Sequence, residues 1–326
     1  MKKILLCIPA FNGYENLLIE KLKNRDFRVE LFNYSEEKYQ KARKIKNPFL
    51  RLWNNIYLKR RGEDLKDKFE AKIINKDLLK MCKEYDYIIK IGMFFLDEST
   101  LKILRSKGKY LILHHWDVIT KKYEAKFLQE EKYFDKISSY SKKDAEKYKI
   151  NYLSNFYFSQ KISNSSINNE VFTIMADFHG KLKRKQFLEK VAKDLQENNI
   201  KYEFILVDKK GEESSLIKVT KEVLSLEKVM EKYSESKVIL EYVKVENEGC
   251  STLRALDCLG LKKKLITNNK EIINEDYYNK NNIFIIDENN IDIPIEFINS
   301  PYEELPKELV EKYYIDNWLD ELLKIN

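Results

Sequence analysis

Short apolar runs alternate with helical stretches along this chain, and the alternation runs twice. Lys3–Pro9, Arg28–Phe32, Tyr87–Ile91, Tyr110–His114 and Asp135–Ser138 read as strands, with helices over Leu17–Lys23 and Ser99–Ser106. A polar stretch follows, Lys161–Asn169, with an unbroken Ser/Asn run from Ser163 to Ser166, and reads as a linker. The pattern then restarts, with strands expected over Val171–Ala176, Tyr202–Val207, Val238–Val243, Lys264–Thr267 and Ile283–Asp287. Helices are expected over Lys185–Glu197, Ser225–Lys232 and Ser251–Leu259, and a closing helix over Lys307–Ile325. Repeated alternation of this kind predicts an α/β chain with parallel sheets flanked by helices. Two such halves joined by a linker predict two Rossmann-like domains. Open parallel sheets bind ligands beyond the carboxyl ends of their strands, so the cleft between the domains is the expected active site.

Composition narrows the class. The chain has 326 residues, 43% hydrophobic and 35% charged, with only 8 Gly and 5 Pro. That excludes collagen-like and disordered chains and leaves apolar material for two cores. No run approaches the ~18 apolar residues needed to span a bilayer. The start, Met1 to Asn16, has two Lys and a short apolar stretch but no small-residue cleavage pattern, and reads as the first strand of a cytoplasmic protein. Cys7, Cys82, Cys250 and Cys258 are scattered and form no CxxC, so neither a disulfide framework nor a zinc site is indicated. A formal charge of +7 is modest at this length and identifies no partner.

The missing motifs matter as much. There is no GxGxxG after the first strand, no GxxxxGK[ST], no GxSxG and no HExxH. There is no D-x-D either, the spacing that holds a metal against a diphosphate. Three His in all leave little for a metal site.

Three constellations lie where the alternation puts strand ends. In the first, the strand from Val171 runs into His179, Gly180, Lys181, Lys183 and Arg184 before a helix. Free backbone N–H groups at a helix start, with added bases, suit a diphosphate; a solvated helix start is the plainer alternative. In the second, a strand ends near Glu241, and a Gly249-containing loop leads into a helix capped by Ser251 or Thr252. Arg254 and Asp257 are three apart and share a helical face. They read either as a phosphate and ribose pair or as a surface ion pair, which is worth little. In the third, His114, His115 and Asp117 close a first-domain strand. Neighbours on a strand face opposite sides, so one ring is expected to be packed and the other to reach the cleft. Asp117 stands just past the strand as a general-base candidate.

A fourth segment carries charge. Between Lys41 and Arg61 there are eight basic residues and no acid, and Phe49, Trp53 and Tyr57 recur every four residues. Residues 48–61 read as a basic amphipathic helix. Its aromatic stripe is either core or a face for an anionic membrane surface or lipid-linked acceptor. No nucleic-acid-binding motif accompanies it, so no nucleic-acid partner is expected.

The series Ser234 to Glu241, Gly249, Thr252-Leu-Arg254-Ala-Leu-Asp257, Lys262-Lys-Lys-Leu-Ile-Thr267-Asn-Asn269 and Tyr277 to Ile286 resembles bacterial glycosyltransferases of the GT-B fold. It is similar in particular to those of lipopolysaccharide and capsular polysaccharide biosynthesis. Leu113 to Asp117, Asp135 to Tyr148, Asn155 to Tyr157 and Phe178-His179 resemble the same proteins, from about Phe11-Asn-Gly-Tyr14 to the final helix near Trp318. There are departures. Gly249 stands three residues before Thr252 where the family's glycine stands two before, and Asp257 replaces the usual Glu.

The resemblance implies two Rossmann-like domains facing across a cleft: an acceptor domain over 1–162, a nucleotide-sugar domain over 170–306, and a helix over 307–326 crossing back to the first domain. It implies transfer of a sugar from a nucleotide-sugar donor to a growing surface glycan or lipid-linked glycan, with no metal and no cofactor. His179, Lys181 and Arg184 would then lie near the diphosphate, His179 with a catalytic part. Thr252 and Arg254 would assist, with Gly249 and Asn269 in the same donor site and Asp257 on the ribose. Asn12, Tyr14 and His115 would meet the acceptor, and Asp117 would activate it. The implied location is the cytoplasm, peripheral on the inner face of the cytoplasmic membrane. A nucleotide-sugar epimerase of the same fold, or a catalytically silent scaffold, is the alternative.

Overall fold

Strand pairing sorts the elements into two separate sheets, both entirely parallel. The computed structural model describes residues 1–10, 12–34, 37–42, 44–58, 64–92, 94–159, 166–177, 183–208, 211, 213–244 and 249–324. The chain divides into two compact units. Met1–Tyr140, Asp144–Tyr152 and Leu323–Asn326 form the first, and Ser141–Lys143 and Leu153–Leu322 the second.

The first unit holds β1 (Lys3–Ile8), β2 (Arg28–Asn33), β3 (Tyr85–Ile91), β4 (Gly108–His115), β5 (Lys136–Ser139) and β6 (Asn151–Tyr152). Their order is β2-β1-β3-β4-β5-β6. Leu6 pairs with Leu31 on one side and Ile89 on the other. The continuous buried run Ile4–Ile8 is what a parallel strand covered on both faces requires. The helix Leu65–Lys80 was not among the expected elements. Only Glu70, Ala71, Ile74 and Leu78 of it are buried, so its apolar stripe is too narrow to stand out.

The second unit holds β7 (Asn169–Ala176), β8 (Tyr202–Val207), β9 (Lys218–Thr220), β10 (Ser236–Glu241), β11 (Lys264–Thr267) and β12 (Ile283–Ile285), in the order β12-β11-β10-β7-β8-β9. Period-two alternation feeds two cores. Val171 and Val238 pack under Leu188, Val191 and Leu195 of the helix Lys183–Glu197. Phe172 and Ile239 face Leu256 and Leu259 of the helix Leu253–Leu261 on the other side. In each sheet the winding reverses direction once, between β1 and β3 in the first unit and between β7 and β10 in the second. Such reversals open a crevice at the carboxyl edge.

The expected closing helix is broken into Lys307–Glu311 and Ile315–Leu323. The backbone of Tyr157 explains the break. Its N–H donates to Tyr313 O at 2.9 Å, and its carbonyl accepts from Ile315 N at 2.9 Å, so residues 313–315 pair with another segment instead of continuing the helix. The second piece is fixed by Trp318, whose Nε1 donates to Ser154 O at 2.7 Å.

The aromatic segment does not form core. Phe49, Trp53 and Tyr57 are all exposed, and the helix Pro48–Trp53 buries no residue.

The first sheet encloses an ion pair. Lys90, next to the end of β3, is fully buried, and its Nζ lies 3.1 Å from Glu130 Oε2. Glu130 Oε1 accepts from Leu96 N at 3.3 Å, and the ammonium sits 4.3 Å from the Phe94 ring centre. Burial pulls the Lys90 ammonium down and pushes the Glu130 carboxyl up, and their mutual attraction opposes both shifts. Glu130→Gln leaves an uncompensated buried cation and should cost about 3–5 kcal/mol in urea unfolding. Lys90→Met combined with Glu130→Leu should recover most of that loss. Equal losses in the single and double variants would show that packing, not charge, holds the pair.

Candidate active site

The crevice of the second unit is bounded by the ends of β7, β10 and β11. Glu241 ends β10 and is almost fully buried. Its Oε1 accepts from the Thr252 hydroxyl at 2.5 Å and its Oε2 from the Thr267 hydroxyl at 3.0 Å. Thr252 is also the N-cap of the helix Leu253–Leu261, accepting from Ala255 N at 3.1 Å. One carboxylate therefore ties the start of that helix to the ends of two strands.

Arg254 follows the cap and reaches across the crevice. Its Nη2 donates to Ile174 O of β7 at 2.6 Å and its Nε to the Tyr233 hydroxyl at 2.9 Å. Burial alone would lower this guanidinium, but Tyr233 and Glu241 lift it above its ordinary value. Burial pushes the Tyr233 hydroxyl up to about 12 despite Arg254 beside it. Arg184 comes from the opposite side, in the first turn of the helix Lys183–Glu197, and its Nη1 donates to Ala176 O at the end of β7. Burial lowers Arg184, and the charge of Arg254 lowers it further. Its Nε is buried with no hydrogen-bond partner among the described residues. Two guanidiniums thus converge on the end of β7 and repel each other, an arrangement that an anion relieves.

The remaining donor-site expectations fall in three groups. His179 and Lys181 lie outside the described residues. Gly249 and Asn269 come together: Gly249 has φ +82° and donates its N–H to Asn269 Oδ1 at 3.2 Å. Asn269 Nδ2 donates to Cys250 O at 3.4 Å, so this side chain braces the loop before the helix. Asp257 is buried, which excludes a solvated surface pair with Arg254. Glu241 and Tyr233 were not singled out as site residues. The signal for Glu241 was a lone carboxylate closing the apolar strand Val238–Leu240.

In the first unit, Asn12 and Gly13 form a left-handed turn after β1, with φ +49° and +94°. Tyr14 is buried and meets Trp116 edge-on at 6.2 Å, which joins this turn to the loop after β4. Asp117 follows Trp116 and is exposed.

The expectation that one His of the pair is packed and the other open is corrected. Both rings are fully buried, because both faces of this parallel sheet are covered. His114 Nδ1 lies 2.9 Å from Ser138 Oγ. His115 packs edge-on to Phe127 at 5.3 Å, and neither of its ring nitrogens has a hydrogen-bond partner among the described residues.

No family model matches the chain, and no curated protein matches it significantly. Solved structures do. An alpha-glucosyltransferase in complex with UDP and a mismatched DNA superposes with TM-score 0.56 at 12% identity, covering 98% of this chain and 94% of that one. An E. coli trehalose-6-phosphate structure bound with UDP-2-fluoro glucose gives TM-score 0.56 at 10% identity, covering 99% and 96%. TarM gives 0.52 at 10% identity, covering 99% and 94%. The chain has the GT-B fold. Two all-parallel six-stranded sheets, each with its own crevice, are what place Arg184 and Arg254 at one carboxyl edge and Asp117 at another.

Burial holds the His114 imidazole neutral, with its pKa down at about 3. It drives His115 well below its ordinary value too, with Lys90 adding to the effect. Once unfolded, each ring titrates near 6.5. As pH falls below that value the unfolded chain takes up protons that the folded rings refuse, so stability is lost. For His114 the loss should be about 1.6 kcal/mol between pH 6.5 and 5, with His115 adding in the same direction. Urea unfolding at the two pH values, in the parent and in His114→Gln and His115→Phe, should show a flatter pH dependence in each variant. An unchanged slope in both would refute the assignment.

Proposed function

We propose that this chain is a glycosyltransferase that moves a sugar from a nucleotide-sugar donor to a growing surface glycan, of the lipopolysaccharide, capsule or related oligosaccharide kind, without a metal ion. The observation that carries the reading is the Arg184–Arg254 pair at the crevice of the second sheet, with Arg184 held by the carbonyl of Ala176 and Arg254 by the carbonyl of Ile174 and the Tyr233 hydroxyl. GT-B neighbours solved with UDP or a UDP-sugar support a nucleoside diphosphate as its occupant.

The chemistry follows from charge. In glycosyl transfer the bond between the anomeric carbon and the diphosphate oxygen breaks, and its electron pair stays on the diphosphate. The acceptor oxygen bonds to that carbon and gives up its proton. A leaving diphosphate needs its growing charge neutralised. Fixed guanidiniums and a capped helix start do this with little reorganisation, which supports metal-independent transfer in a chain that has no D-x-D. Arg254 is fixed by two hydrogen bonds before any ligand arrives, so its donors are preorganised. Asp117, exposed past β4, is the side chain assigned to take the acceptor proton. In this reading the chain works at the inner face of the cytoplasmic membrane, as a peripheral protein.

Thermal unfolding with a panel of nucleoside diphosphates and nucleotide-sugars, without metal and then with magnesium, tests the donor site. A ligand at 100 times its Kd stabilises by about 2.7 kcal/mol. One nucleotide family, UDP first, should raise the Tm without magnesium, and Arg184→Ala and Arg254→Ala should each weaken binding about tenfold or more. Asp117→Asn should spare donor binding and abolish transfer. A shift seen only with magnesium would overturn metal independence. Epimerised free nucleotide-sugar would identify an epimerase, and binding without turnover across an acceptor panel would identify a silent scaffold.

A further inference from the structure

We propose that residues 44–58 form a docking face for an anionic lipid bilayer. The inference gives the peripheral location in the preceding reading a physical basis, but it stands on separate residues and a separate test.

The first observation is exposure. Six large apolar side chains within nine residues are open to solvent: Phe49, Leu50, Leu52, Trp53, Ile56 and Tyr57. Phe49 is 81% exposed, Tyr57 60% and Leu52 58%. An amphipathic helix ordinarily turns such a stripe to the core, and a one-sided apolar patch on a surface marks an interaction site.

The second observation is how the segment is held. Asn47 caps the helix Pro48–Trp53, accepting from Phe49 N at 2.9 Å and Leu50 N at 3.2 Å, and Pro48 occupies the first turn. A π-helical turn, Asn54–Leu58, continues it, and only Asn54 and Leu58 of that turn are buried. Asn54 Nδ2 donates to Asp64 Oδ1 at 3.0 Å, while Asn54 Oδ1 accepts from Leu65 N at 2.8 Å. Asp64 is itself the N-cap of the helix Leu65–Lys80. A buried polar anchor therefore fastens the segment from behind. So short a helix does not persist unaided, and the anchors at Asn54 and Leu58 leave the aromatic side outward.

The third observation is charge, which selects the occupant. The sequence has no acid from Lys38 to Gly62 and nine Lys or Arg in that span. Within the described face, Lys44, Lys46 and Arg51 are exposed. Arg51 is steadied by donating to Ile45 O at 3.1 Å. A two-fold dimer through this face would set the same bases against each other. An anionic leaflet matches both parts at once, with the apolar side chains entering the headgroup boundary and the bases meeting lipid phosphates. Trp53 and Tyr57, apolar with a polar edge, suit that boundary.

The test is co-sedimentation of the full chain with vesicles of phosphatidylcholine alone or with phosphatidylglycerol added, at low and high salt. Binding should require the anionic lipid and weaken with salt. Phe49→Ser with Trp53→Ser should reduce it about tenfold or more. Lys44→Glu with Lys46→Glu should reduce it about fivefold or more for each charge reversed. Both double variants should keep the parental Tm and nucleotide response, because the side chains are exposed. Parental Trp53 fluorescence should also be quenched by anionic lipids with brominated acyl chains, as the difference from Trp53→Phe, which requires no folded double variant. Failure of the parent to bind anionic vesicles overturns the proposal. Equal binding to both vesicles, or undiminished binding of both double variants, does so too. A concentration-dependent dimer abolished by the apolar variant, with no vesicle binding, would assign the face to a second copy of the chain. None of these outcomes bears on donor binding, which is measured without lipid.

Discussion

A single buried carboxylate organises the carboxyl edge of the second sheet. Glu241 would be costly there without partners. It is satisfied by two hydroxyls, one capping the next helix and one ending the neighbouring strand. Because Thr252 is both cap and donor, the position of the helix start and the end of β10 are one constraint. Arg254, two residues on, is thereby aimed at the carbonyl of Ile174, which lies eighty residues earlier in the chain. The positive charge of Arg254 is thus fixed in place by the fold itself.

The first sheet solves the same problem in the opposite way. Its strands also end in polar groups, but Lys90, His114 and His115 are sealed rather than presented. Lys90 is neutralised by Glu130, and both imidazoles are held uncharged by burial. What that edge leaves open is the left-handed turn at Asn12 and the carboxylate of Asp117. One sheet thus offers fixed cations, and the other keeps its charge internal and exposes an acid beyond it.

Much of this was legible in the residues. Val171–Ala176 and Tyr202–Val207 read as strands because β-branched runs of that length, bounded by polar turns, have few other uses. Arg184 and Arg254 were recognisable because each stands just inside a helix that follows such a strand. Other features were not. Alternation along β4 says that His114 and His115 face opposite ways, but not that both faces are covered. The run from Lys307 carries a helical pattern throughout, yet the backbone of Tyr157 pairs into its middle. Phe49, Trp53 and Tyr57 have the same spacing that a core helix would have.

The sequence by itself determined the two parallel sheets, their alternating helices and the strand ends at which charged residues collect. These follow from local periodicity and composition, which every window of the chain carries. Only the tertiary structure decided which of those residues are presented. Glu241 braces two strand and helix ends, His115 is sealed, and the aromatic stripe at residues 49–57 is held outward by Asn54. Each outcome rests on a partner distant along the chain, and whether a polar or apolar group is covered depends on what packs over it, a property no local pattern encodes.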